Sequence, residues 1–177
     1  VINRGAVETA HRIRQACGQV FRYGIACGLC VRDPSADLVD ALPPVQPEHR
    51  AAITDPDRTG QLLRAIYDYN GMPAICAALK FTALVFQRPG EIRQAEWKEF
   101  DLDNALWTIP SNRMKRSKAG KEGGPPHFVP LSRQAVAVLR ELHPITGEGR
   151  FVFPSPRTSE RPLSDNGVLS ALRRMGF

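Results

Sequence analysis

An almost unbroken apolar run, Ala74 to Phe86, is bracketed by Pro73 and Pro89 and gives way to Arg88. Thirteen residues of this kind between two prolines predict a buried helix. The run is too short to span a bilayer and carries Lys80 within it, so it does not read as a membrane segment. A chain containing it must bury it, and Arg88 then leaves the end of a rigid, enclosed element. Held that way, a guanidinium can present its planar fork to a phosphate in two parallel hydrogen bonds. These residues alone favour the plainer alternative, an ordinary helix end with a favourable cation in its last turn.

The bulk properties are compatible with that core. The chain has 177 residues, 42% of them hydrophobic, enough for one domain or for a small domain plus part of another. Its net charge of +6 favours an anionic partner such as nucleic acid without identifying one. No stretch reads as a signal peptide or a membrane span, so a cytoplasmic location is expected. The first residue is Val1 rather than Met, which suggests a piece of a longer protein. Of Cys17, Cys27, Cys30 and Cys76, only Cys27 and Cys30 have metal-like spacing. With no second close pair and no local histidine pattern, neither a metal site nor a structural disulfide is expected.

Before the apolar run, residues 6 to about 29 predict one helix. Val7, Ala10, Ile13, Cys17, Val20, Phe21, Ile25 and Leu29 recur at three- and four-residue steps. Arg12, Gln15, Gln19 and Arg22 fall away from that stripe. They form a cationic, amide-rich face that can either track a DNA backbone or simply meet solvent. A short helical turn follows around Ser35 to Leu42, and Pro43-Pro44-Val45-Gln46-Pro47 has the composition of a semi-rigid linker. Charge changes here too. Residues 1–32 hold five arginines and one glutamate, whereas 33–58 hold six acids and two arginines, which places a domain boundary near 43–52.

Thr54-Asp55-Pro56 is a helix start whose apolar face is Leu62, Leu63, Ile66 and Tyr67. Beyond the apolar run, Pro89 opens a further short helix with Glu91 in its first turn, and Trp97 and Phe100 close the core over it. Ala105 to Pro110 reads as a strand and Phe128-Val129-Pro130 as its antiparallel return. Between them lie Arg113, Lys115, Arg116, Lys118 and Lys121, with no acid before Glu122. Five cations concentrated on a glycine-rich excursion suit phosphates, with a solvated loop as the alternative. Ser132 caps a helix to about Leu142, residues 144–150 form a loop, and Phe151-Val152-Phe153-Pro154 is a short apolar segment. A last helix runs from Asp165 to Met175, stopped by Gly176. The expectation is an α+β fold, mainly α-helical, with a small antiparallel sheet at 101–131.

The order of these pieces resembles the tyrosine recombinases, in particular the P4-like group of phage and genomic-island integrases. The matching stretches are Ala10-His11-Arg12-Ile13-Arg14-Gln15 with Val20-Phe21-Arg22-Tyr23, then Arg88-Pro89-Gly90-Glu91-Ile92-Arg93 with Trp97. Met114-Lys115, His127 to Ser132, Phe151 to Pro154 and Leu172 to Gly176 also fit, so nearly the whole chain is covered. The resemblance implies a DNA strand-transfer enzyme that works through a 3′-phosphotyrosyl intermediate without ATP, metal or cofactor. It implies double-stranded DNA attachment sites as partners, a parent protein that is tetrameric on DNA, and a prokaryotic, nucleoid-associated location.

It assigns Arg88 as the first catalytic arginine, Glu91 as the acid that orders it, and Lys115 as the hairpin general acid. An apparent insertion at Ser117 to Pro125 leaves Lys118 or Lys121 open for that last role. Arg12, Gln15, Gln19, Arg22, Arg113, Arg116, Lys118 and Lys121 are the expected DNA contacts. The family's His-x-x-Arg box and nucleophilic tyrosine have no counterpart here, since Tyr23, Tyr67 and Tyr69 all precede Arg88. On this reading residues 1–47 end a helical core-binding domain and residues 48–177 begin the catalytic domain. Such a fragment would be inactive although its parent is not. The competing reading is a non-catalytic, architectural DNA-binding protein with a basic hairpin.

Overall fold

The computed structural model describes residues 1–45, 52–114 and 123–177. The chain forms two compact units, Val1–Ala52 and Ile53–Phe177.

The first unit is helix α1, Val7–Ala26, with a short 3-10 turn at Pro34–Leu38 lying against it. The Asp33 side chain caps that turn by accepting from the Ser35 N–H at 2.9 Å, and Pro34 begins it. The expected helix is present but ends three residues early, and its apolar stripe is not a core. Only Ala10 and Gly18 are buried along α1, while Ile13, Val20, Ile25 and Leu29 are exposed within this unit. One short turn covers only a narrow strip of a 20-residue helix. Gly18 marks that strip: a Cβ there would stand 3.1 Å from Ser35 Oγ and 3.2 Å from an Asp33 carboxylate oxygen.

In the second unit, α2 (Pro56–Asp68), α3 (Pro73–Val85) and α4 (Pro89–Arg93) each begin on a proline, where the missing N–H costs nothing. Asp55 caps α2 by accepting from the Arg58 N–H at 2.9 Å. The apolar run becomes α3, the axis of the unit. Phe81, Ala78 and Leu79 are almost entirely enclosed, and α3 packs against α2, α4, α5 (Arg133–Thr146) and α6 (Asp165–Arg174). Phe86 departs from expectation. It terminates α3 in a left-handed conformation, φ 54°, with its side chain 99% exposed.

Beside the helices lies a three-stranded antiparallel sheet, β1 (Phe100–Asp101), β2 (Leu106–Ile109) and β3 (His127–Pro130). Trp107 pairs with Phe100 on one side and Val129 on the other, so this rung faces the core. The Trp107 ring stacks on Phe100 at 5.1 Å, and Phe81 packs against Phe100, Trp107 and Phe153 at 5.7 to 6.0 Å. Trp97 and Phe100 do pack over that core.

One further expectation is corrected, and one element was not anticipated. The helix from Ser132 does not stop at Leu142 but runs through Pro144 to Thr146, taking in residues assigned to a loop. In addition, β4 (Pro154–Ser155) and β5 (Thr158–Pro162) form a hairpin that has no apolar alternation to announce it.

Candidate functional site

Arg88 stands where α3 ends and α4 begins, in extended conformation, and serves as the N-cap of α4. Its carbonyl accepts from the N–H groups of Glu91 and Ile92, which starts the helix. Its own N–H donates back to Glu91 Oε2 at 3.3 Å, and its Nη1 donates to Glu91 Oε1 at 3.0 Å. The partners differ sharply in exposure: the Glu91 side chain is 5% exposed and that of Arg88 62%. Glu91 is thus a buried anchor with both oxygens turned to one residue, and it leaves most of the Arg88 side chain facing outward. One charge-assisted bond fixes the direction of the fork, and among the described residues no other side chain takes its remaining donors, which can meet an anion.

A second arginine completes the geometry, though not as expected. Arg113 belongs by sequence to the cationic excursion, but its side chain is only 14% exposed. Its Nη1 pairs with Glu99, and its Nη2 donates to the Glu91 carbonyl at 2.6 Å. Glu99 is itself buried and accepts from Trp107 Nε1 at 3.0 Å and from the Glu96 N–H at 3.4 Å. The first residues of the cationic stretch are therefore part of the packed unit. Ser111–Arg113 is a 3-10 turn and Met114 joins the core. Arg113 is not a solvent-facing contact. It joins the root of the hairpin excursion to the turn that carries Arg88.

Lys115, Arg116, Lys118 and Lys121 lie outside the described residues. The four α1 residues belong to the other unit. Arg12, Gln15, Gln19 and Arg22 are all exposed there, with Arg12 paired to Glu8 and Arg22 to Asp33 at 3.5 Å. Sequence reasoning overlooked Glu99 and Trp107, because an isolated glutamate between aromatic residues carries no periodic signal of burial.

Two outer contacts steady the same region. The Arg93 guanidinium reaches Asp165 at 2.5 Å and the Leu163 carbonyl at 3.4 Å, tying α4 to the start of α6. Glu96 is buried and pairs with Arg150 at 2.6 Å and Lys98 at 2.9 Å. The Arg150 hydrogen bond outweighs the cost of burial and brings its carboxyl from 4.5 to about 2. Among the described residues no group of His, Cys, Asp and Glu is arranged to hold a metal ion, and no helix is long and apolar enough to cross a membrane.

The fold, mainly helical with small antiparallel sheets, matches solved structures. The fold aligns with lambda integrase in a dimer bound to a COC′ core site, with TM-score 0.67 and 20% identity, covering 99% of this chain and 48% of that one. It aligns equally with lambda integrase in a tetramer bound to a Holliday junction, with TM-score 0.67, 21% identity and the same coverage. Residues 1–41 match the phage integrase central domain and residues 54–176 the phage integrase family.

The chain belongs to the phage integrase family, whose model matches residues 54–176. It is 35% identical over 178 residues to the putative protein IntB of Escherichia coli K12, covering 98% of this chain and 45% of that protein. It is 33% identical over 178 residues to the integrase of Enterobacteria phage P4, covering 98% and 40%. The chain thus spans less than half the length of these curated relatives.

Proposed function

We propose that these residues are part of a site-specific DNA recombinase, in which Arg88 grips the scissile phosphate and Glu91 holds Arg88 in place. The observation that carries this reading is the largely exposed Arg88 side chain held by the buried Glu91 carboxylate. In the reaction a tyrosine oxygen attacks the phosphate, a 3′-phosphotyrosyl bond forms and the 5′-oxygen departs. The phosphodiester energy stays in the new bond, so no ATP is needed for rejoining. Arg88 lowers the barrier by stabilising negative charge on the pentacoordinate phosphorus. A lysine of the hairpin, Lys115 first and Lys118 or Lys121 otherwise, gives a proton to the departing oxygen.

The substrate is double-stranded DNA at attachment sites, bound by a tetramer at the strand-exchange stage. The DNA-bound dimer and tetramer of lambda integrase support this by their shared fold. Residues 1–47 are the end of a DNA-clamping domain, whose Arg12, Gln15, Gln19 and Arg22 meet the backbone, and 48–177 are the first part of the catalytic domain. Residues 1–177 contain no tyrosine after Arg88, so on their own they bind DNA without cutting it.

The test is covalent capture. The full-length gene product is incubated with DNA from the attachment region, nicked near the cleavage site so that the short strand diffuses away. A protein–DNA adduct that survives denaturation is expected from the full-length protein and not from residues 1–177. Binding by the full-length protein without any adduct would make it an architectural protein instead.

A further inference from the structure

We infer that Arg113 is a positioning residue for Arg88, acting through Glu91 from a buried polar chain that starts at Trp107; the inference rests on the recombinase reading. Trp107 is fully buried, so its indole N–H is a fixed point. It donates to Glu99, whose carboxylate is held from a second side by the Glu96 N–H. Glu99 in turn fixes one nitrogen of the Arg113 fork, and the other nitrogen fixes the carbonyl of Glu91. Glu91 lies in the first turn of α4, and its carboxylate holds Arg88. One guanidinium thus stands between the immobile core and the turn that aims the Arg88 fork.

A buried ion pair is poor evidence of stabilisation, because apolar residues of the same volume often serve as well. Two donors at a fixed angle give direction, which apolar packing does not. Lysine at 113 retains a charge for Glu99 but loses the fork, so it cannot hold both acceptors in the same geometry. Misplacing a catalytic group by a fraction of its working distance lowers the rate without removing the group.

The experiment uses the full-length gene product with Arg113→Lys, which keeps the ion pair and hence the core. Glu99→Gln, which removes the charge and turns one of the two accepting oxygens into an NH2 donor, gives a second approach to the same readout. Cleavage is measured on two nicked substrates, one with the natural scissile phosphate and one with a methylphosphonate there, which lacks the charge that Arg88 neutralises. Each rate is referred to wild type on the same DNA. Arg113→Lys is expected to be slower by roughly 10- to 100-fold on the phosphate, with DNA affinity within about twofold. On the methylphosphonate its deficit shrinks below about threefold, following the pattern of Arg88→Ala.

A deficit of equal size on both substrates means a merely structural role and overturns the inference. Wild-type rates on both overturn it as well. In either case wild-type cleavage leaves the recombinase reading standing, whereas wild type forming no adduct on the phosphate overturns both.

Discussion

Phe86 occupies a left-handed backbone conformation that costs a side-chain-bearing residue about 1–2 kcal/mol, and its exposed ring buries nothing in return. Glycine removes that strain but adds roughly 0.5–1 kcal/mol of unfolded-state entropy. Phe86→Gly is therefore expected to be neutral or stabilising by up to about 1.5 kcal/mol in urea titrations, and a clear loss would mean the ring has a partner. Phe81 is the reverse case, with no exposed surface and three aromatic neighbours. Phe81→Ala should cost about 3–5 kcal/mol in the same measurement. Glu96 supplies a pH test. Its carboxyl titrates lower in the folded chain than in the unfolded one, so its contribution is present above pH 4.5 and lost as pH falls toward about 2. Arg150 is largely solvated, which reduces the effect. Glu96→Gln should cost about 1–3 kcal/mol at neutral pH, and the gap to wild type should close on acidification. A gap that does not depend on pH would contradict the pairing.

At the scale of elements, Pro144 sits within α5 and removes the N–H that would bond to the Arg140 carbonyl. That part of the helix is exposed, so water can serve the lost acceptor. The last turn is held from outside instead. Trp97 Nε1 donates to the Thr146 carbonyl at 3.0 Å, and Thr146 Oγ1 donates to the Val152 carbonyl at 3.0 Å. Pro144→Ala is expected to raise stability by about 1 kcal/mol without moving the helix end. The proline was visible in the sequence and the tertiary bonds that override it were not. The same division runs through the fold. Pro56, Pro73 and Pro89 announced three helices, and the apolar alternation around Trp107 and Val129 announced the main hairpin. The 154–162 hairpin passed unseen because proline, serine and arginine carry no strand period. In the site, the family resemblance implied the Arg88–Glu91 pair, which the residues alone left as a helix-end cation and a first-turn acid. The inward turn of Arg113 could not be read, because a cation in a basic stretch looks solvated until a buried carboxylate is found beside it.

For the molecule as a whole, the +6 charge and the proposed phosphate contacts predict DNA binding that weakens steeply with salt. Affinity of residues 1–177 for duplex DNA should fall at least about tenfold between low and moderate ionic strength, and a titration that does not change would count against cationic contacts. Recombination asks more than binding: the arginine at the α3–α4 junction must act on the reacting phosphate itself. The decisive measurement compares wild-type and Arg88→Ala full-length protein on a nicked attachment-site substrate, following adduct formation and DNA affinity in parallel. The predicted result is a loss of cleavage of about a hundredfold or more, with affinity changed by less than about tenfold. Loss of both in equal proportion would reduce Arg88 to an ordinary backbone contact and contradict its placement at the reacting phosphate.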